Sequence, residues 1–150
     1  MYNKNINFAQ TTYKDGTQPV ACHNDIGKKG EDIAVEYLTS KGYSICERNW
    51  RSGKKEIDII AMDSLEVVIV EVKTRTSTEY GDPEEFVKPA KIRNIAQAAD
   101  AYLSRLPHAV DVRFDIISVV IPQNQSGKYQ IEHIKDAFYP YTQNFNRYGY

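Results

Sequence analysis

Apolar residues change their spacing along this chain, and each change marks an element. Between Ile26 and Lys41 they recur three and four positions apart, with Ala34, Tyr37, Leu38 and Lys41 in phase. That spacing predicts a helix over Ile26 to Lys41, capped by Asn24 or Asp25 and stopped by Gly42 in the left-handed conformation. Three strand-like segments follow: Tyr43 to Asn49, Glu56 to Met62 and Leu65 to Thr74, with Asp63-Ser64 as the turn between the last two. Val67-Val68-Ile69-Val70 is apolar at every position, the pattern of a strand covered on both faces, so the third strand should be central in its sheet. A loop from Ser77 to Pro83, containing Gly81, leads to a helix from Pro89 to Ser104. Pro89 suits its first turn, and Ile92, Ile95, Ala96, Ala99, Tyr102 and Leu103 form a stripe at helical spacing. A fourth strand is predicted over Val112 to Ile121, closed by Pro122, and a fifth over Tyr129 to Ile134 after a Ser126-Gly127 turn.

No repeat and no long linker divides the chain. Residues 1–23 read as a polar extension without helical or strand period, 24–138 as one domain, and 139–150 as a tail rich in Tyr and Asn. The order α-β-β-β-α-β-β makes this an α/β protein, a central β-sheet flanked by helices.

Charge and cysteine usage narrow the possible partners. The formal net charge is -1 at pH 7. A dedicated DNA-binding module is usually strongly basic, so nucleic-acid binding here would need local positive charge or a bound cation. Cys22 and Cys46 are too far apart for a Cys-x-x-Cys motif and make no disulfide framework. An apolar run such as Val67 to Val70 is far too short to span a bilayer, and the N-terminal residues lack the apolar core of a signal peptide. The expected location is therefore the cytoplasm, with no membrane partner.

The chemistry concentrates on the second and third strands. Glu71 and Lys73 share one strand face and follow directly on the Val/Ile run. Charges at the end of a buried strand are costly unless paired or metal-bound. With a two-residue Asp63-Ser64 turn, Met62 faces Leu65, Asp58 faces Ile69 and Glu56 faces Glu71. Asp58 is then diagonal to Glu71, roughly 7–8 Å away at the backbone, close enough for two carboxylates to converge on one ion. A four-residue loop preserves this arrangement; a three-residue loop turns Asp58 to the other face. Glu31 lies three residues before Ala34 and seven before Leu38, on the expected buried face of the first helix, and can supply a third carboxylate. Three carboxylates without clustered His or Cys suit a hard ion, Mg²⁺ or Mn²⁺. Such an ion polarises a phosphoryl oxygen and lowers the pKa of bound water. Lys73 beside it would orient the attacking water or stabilise charge developing on phosphorus.

Asp58, followed thirteen positions later by Glu71-Val72-Lys73, behind a helix carrying Glu31, resembles the PD-(D/E)xK nuclease superfamily. That superfamily includes restriction endonucleases and archaeal Holliday-junction resolvases. More closely, the chain resembles the bacterial YraN-like family. The matching stretches are Gly30-Glu31 with Ala34 and Tyr37-Leu38, Arg48-Asn49, Glu56 to Ile60, Val70 to Arg75, Gly81, Lys91, Arg113-Phe114-Asp115 and Ala137-Phe138. The resemblance implies a restriction-endonuclease-like fold with a mixed sheet. It also implies Asp58 and Glu71 as metal ligands, Lys73 as catalytic lysine, and Glu31 as the helix glutamate of the resolvase branch. The implied activity is metal-dependent hydrolysis of phosphodiester bonds in DNA, branched or single-stranded forms included, and resolvases act as homodimers. Two departures stand out: Lys55 replaces the glycine usual before Glu-Ile-Asp, and Ile57 replaces the superfamily's proline.

Plainer readings compete. Glu56, Asp58, Glu71 and Lys73 could form an ordinary cross-strand ion-pair network, and Glu31 could be a first-turn acid favoured by the helix dipole. Arg75 and Lys91 are candidate phosphate contacts, or members of a solvated face. Lys54 and Lys55 either reach DNA or solubilise a loop. Arg113 and Asp115 share a strand face and should pair structurally. His23, His108 and His133 are scattered and are assigned no ligand role. Tyr139, Tyr141, Phe145, Tyr148 and Tyr150 would stack on unpaired bases or pack on protein. The alternative to a nuclease is a catalytically silent nucleic-acid-binding or protein-interaction module that keeps the fold.

Overall fold

Gly42 stops the first helix by a specific device. In the computed structural model, which describes residues 20–77, 87–123 and 127–140, Gly42 has φ 89°. Its N–H donates to the Thr39 carbonyl, and the Tyr43 N–H donates back to the Leu38 carbonyl, both at 3.0 Å. These are the two bonds of a Schellman motif, and Tyr43 and Leu38 are both buried in one apolar cluster, as the motif favours. The helix, α1, spans Val20–Ser40. It begins ahead of the expected Asn24-Asp25 cap, so both residues lie inside it and its first turn falls in the segment read as a polar extension. Ala34 and Leu38 are fully buried, but Lys41 is exposed beyond the last turn, contrary to its predicted place on the apolar stripe.

The remaining elements are β1 (Ser44–Ser52), β2 (Lys55–Asp63), β3 (Glu66–Arg75), α2 (Pro89–Leu103), β4 (Asp111–Val120) and β5 (Gln130–Ile134). They build a five-stranded mixed sheet in the spatial order β1-β2-β3-β4-β5. β3 pairs antiparallel with β2 and parallel with β4; the other two pairings are antiparallel. α2 makes the crossover between the parallel strands β3 and β4. β3 is central, and Val68, Ile69 and Val70 are all but fully buried.

Two cores flank the sheet. On one face Ile33, Ala34 and Leu38 of α1 pack with Ile59, Ala61, Val68, Val70, Ile117 and Val119. On the other, Ile95, Ala98 and Ala99 of α2 pack with Ile60, Val67, Ile69 and Phe114. After β5 the chain returns to the α2 face. The Ala137 N–H donates to the Phe114 carbonyl at 2.8 Å, and the Phe138 ring lies 5.4 Å from that of Phe114. The expected loop at Gly81 and Pro83, residues 1–19, Ser126 and the tail aromatics beyond Pro140 lie outside the described residues. No described helix is long and apolar enough to cross a membrane.

The hairpin register differs from the one expected. Asp63 pairs with Glu66, Met62 with Val67 and Ile59 with Val70. The turn is therefore Ser64-Leu65, with Ser64 at φ 57° and Leu65 87% exposed. Asp63 stays in the strand because its carboxylate is engaged by the Arg113 guanidinium at 3.3 Å. The slip is two residues, so it preserves which side chains share a face. It removes both expected pairings, Asp58 with Ile69 and Glu56 with Glu71; Glu56 instead pairs with Arg51 at 3.0 Å.

Candidate functional site

The β2–β3 ladder ends at Ile59 and Val70, one residue short of Asp58 and Glu71. What interrupts it is a break in the pleat. Across β1 and β2, Arg48 pairs with Ile59 and Trp50 with Ile57, which leaves Asn49 opposite Asp58. In a regular strand residues two apart face the same way. Here Ile59 belongs to the α1-side core and Ile57 to the α2-side core. Likewise Arg48 pairs with Asp32 of α1, while the Trp50 ring packs at 5.6 Å on Tyr102 of α2. Both strands change face at Asn49 and Asp58. Asn49 has φ 49°, a left-handed conformation that asparagine tolerates better than most residues.

This break lets Asp58 turn its side chain toward β3. Its Oδ2 accepts the Val72 backbone N–H at 2.7 Å, filling the place a ladder partner would have taken. Burial, and then the charge of Glu71, push the Asp58 carboxyl up to about 7 from its ordinary 3.8, against the opposing Val72 hydrogen bond and Lys91 charge; Glu31 adds a smaller repulsion. Two carboxylates are thus held close together where water is scarce.

Glu71 is 4% exposed. The Lys73 ammonium lies 3.0 Å from its Oε1, and the Lys91 ammonium of α2 lies 3.2 Å from its Oε2. Oε2 nevertheless has no donor aligned on it for a hydrogen bond. The ammonium is near enough for Coulomb attraction, which tolerates misalignment, but it leaves a lone pair of that oxygen open. Glu31 reaches this group through its charge rather than by a contact. α1 comes close to β3 one residue earlier: a Cβ on Gly30 would stand 1.9 Å from Thr74 Oγ1. Among the described residues no three Asp, Glu, His or Cys side chains gather closely enough to cage an ion, so the cluster is a carboxylate pair with Glu31 beside it.

The predicted phosphate contacts lie at the same end of the sheet. Lys54 and Lys55 sit at the β1–β2 hairpin, where Ser52 pairs with Lys55, and Arg75 ends β3. Lys91 is drawn onto Glu71 instead of standing free in solvent.

A second polar centre occupies the opposite end, and most of it was not anticipated. Asp115 is fully buried. It accepts from Arg113 Nε at 2.8 Å, from the Asp136 N–H at 2.9 Å, and pairs with His133 Nε2 at 2.8 Å. Burial raises its pKa, but the hydrogen bonds from His133, Arg113 and Asp136 outweigh burial and hold the carboxyl below its ordinary value. Arg113 also reaches Glu66 at 2.7 Å, Asp63 at 3.3 Å and the Tyr43 hydroxyl at 3.0 Å. The expected Arg113–Asp115 pair is present, and its network ties β2, β3, β4 and β5 together. His133, assigned no role, is part of it. The only signal was its position in a strand next to the one bearing Asp115.

Comparison with known proteins shows which family the sequence resembles. The chain is 49% identical over 121 residues to a UPF0102 protein of Phocaeicola vulgatus, covering 81% of this chain and 98% of that protein. It is 50% identical over 121 residues to one of Bacteroides thetaiotaomicron, with the same coverage. It is 50% identical over 120 residues to one of Flavobacterium psychrophilum, covering 80% of this chain and 98% of that one. The pattern of the uncharacterised protein family UPF0102 matches residues 30–119, which include Glu31, Asp58, Glu71, Lys73, Lys91 and Asp115. The chain therefore belongs to the UPF0102 family.

Proposed function

We propose that this protein is a metal-dependent nuclease of restriction-endonuclease-like fold that hydrolyses phosphodiester bonds of DNA. The observation that carries the reading is the juxtaposition of two poorly solvated carboxylates, Asp58 and Glu71, with Lys73 held on the second of them. The residues fit a hard divalent cation. Both donors are carboxylate oxygens, one has an open lone pair, and burial penalises their negative charge unless a cation offsets it. Asp58 and Glu71 would hold Mg²⁺ or Mn²⁺, with Glu31 adding negative charge directly or through water. The cation supplies Lewis acidity toward a phosphoryl oxygen.

The chain's own groups do the rest. The Val72 N–H orients Asp58. Lys73 places its ammonium beside Glu71, where it would stabilise charge developing on phosphorus. Arg75, Lys54 and Lys55 supply local positive charge at the same end of the sheet, which a chain of net charge -1 needs in order to approach a polyanion. Symmetrical cutting of two strands would require a homodimer. Purified protein with Mg²⁺ or Mn²⁺ should cleave at least one member of a panel of four-way junctions, flaps and single strands, and Asp58→Ala should abolish that cleavage. Cutting that survives both the substitution and a chelator would refute the assignment.

One observation favours a second reading, a binding module that keeps the fold without turnover. Both oxygens of Glu71 already face ammonium groups, so the site reaches near charge balance without a metal. This reading expects DNA or protein binding with no metal-dependent cutting, and calorimetry in which Mn²⁺ gives no heat.

A further inference from the structure

The two lysines on Glu71 are not equivalent. Lys73 lies two residues along the same strand, its side chain 27% exposed, and meets Oε1. Lys91 comes from another element. It lies two residues after Pro89, in the first turn of α2, a turn that contains no acidic residue. The positive end of the helix dipole disfavours a cation there. Its ammonium nevertheless points onto Oε2 of Glu71, its side chain 38% exposed, and it makes no aligned hydrogen bond with that oxygen. A flexible side chain, partly in solvent, thus stands beside an oxygen of a buried carboxylate that accepts no hydrogen bond. The contact is favourable only because it neutralises Glu71.

We infer that Lys91 is the exchangeable counter-ion of this site: its ammonium neutralises Glu71 while no divalent cation is bound and withdraws when one enters. The inference rests on the metal-dependent reading above. A hard cation binds a carboxylate oxygen at about 2.0–2.6 Å. It cannot take Oε2 while an ammonium stands 3.2 Å from the same atom without strong like-charge repulsion. Lys91 has the free length to swing into solvent, whereas Lys73 meets the other oxygen. Lys91 is then a positioning residue: it acts through Glu71 and sets how strongly the site competes for metal.

Titration calorimetry with Mn²⁺ on the full chain tests this with five proteins: wild type, Asp58→Asn, Lys91→Met, Lys91→Arg and Lys88→Met. Lys88 precedes α2, is exposed, and its side chain makes no capping bond, so its removal reports the through-space loss of one charge. Lys91→Met should bind Mn²⁺ roughly ten-fold more tightly than wild type. Without metal it should melt at a lower temperature, and Mn²⁺ should raise that temperature by more than in wild type. Lys91→Arg should stay within about two-fold of wild type, and Lys88→Met likewise, because exposed charges are well screened. Unchanged or weaker Mn²⁺ binding by Lys91→Met would overturn the inference, as would an equal gain in Lys88→Met. If wild type binds Mn²⁺, Asp58→Asn abolishes binding and Lys91→Met changes nothing, the counter-ion assignment alone fails. If neither wild type nor Lys91→Met binds Mn²⁺, the metal reading fails with it.

Discussion

Asparagine at position 58 keeps the shape of the aspartate and an oxygen to accept the Val72 N–H, but carries no charge. In the folded protein burial and Glu71 push the Asp58 carboxyl up to about 7; an ordinary aspartate ionises near 3.8. A raised carboxyl pKa means that the folded state binds the proton more tightly than the unfolded chain, so this group lowers stability as pH rises from about 4 to 7. Below that window the acid is neutral in both states and costs nothing; above it the penalty is fully expressed. A rise from 3.8 to about 7 corresponds to a penalty on the order of a few kcal/mol, reduced by partial exposure. Urea unfolding of wild type and Asp58→Asn, in chelator, should therefore give similar stabilities near pH 4 and a variant more stable by on the order of a few kcal/mol at pH 8. Mn²⁺ at pH 8 should narrow the gap by stabilising wild type alone, and the variant should lose all metal-dependent cleavage. A gap that does not grow with pH, or a variant less stable at pH 8, would refute the account of Asp58 as a carboxylate charged at a cost.

Two further predictions concern the scaffold. Gly30→Ala should destabilise the protein by about 1–2 kcal/mol in urea unfolding, because overpacking against Thr74 costs about 1–3 kcal/mol and outweighs the 0.5–1 kcal/mol of helix propensity gained. Adding Thr74→Ala should recover part of the loss; a Gly30→Ala protein more stable than wild type would mean that α1 does not approach β3 this closely. Arg113→Met should cost about 3 kcal/mol, because it leaves the buried Asp115 charge without its guanidinium partner. The lowered pKa of Asp115 contributes stability that is present above the ordinary carboxylate pKa and is lost as pH falls through the folded value. Loss of Arg113 should move that acid loss to higher pH, as followed by circular dichroism across an acid titration.

Some of this was legible because a local pattern has only one economical outcome. The run Val67 to Val70 can be buried on both faces only at the centre of a sheet, and β3 is there. Gly42 and Pro89 act through their own backbone geometry, and they bound α1 and α2 where expected. The polar residues Asn24 and Asp25 misled, since a good capping residue can also lie within a helix, as both do in α1. Ser64 and Leu65 misled as well. Hydrophobicity puts a leucine in the strand, but the ion pair between Asp63 and Arg113, fifty residues away in sequence, keeps Asp63 in the ladder and pushes Leu65 into the turn.

The sequence by itself determined that carboxylates and a lysine end a buried strand, because burial makes unpaired charges there costly and so gives them a reason to be present. It also determined that any even slip of the hairpin leaves the faces unchanged, since the pleat has a period of two. Only the tertiary structure decided how Asp58 meets Glu71. Asn49 and Asp58 break the pleat together across two strands, and no spacing along one strand reports a change of face on its neighbour. The same holds for Lys91 on Glu71 and His133 on Asp115. These partners belong to different elements, and what joins them is the requirement that a buried charge find a counter-charge wherever the packed helices and strands happen to bring one.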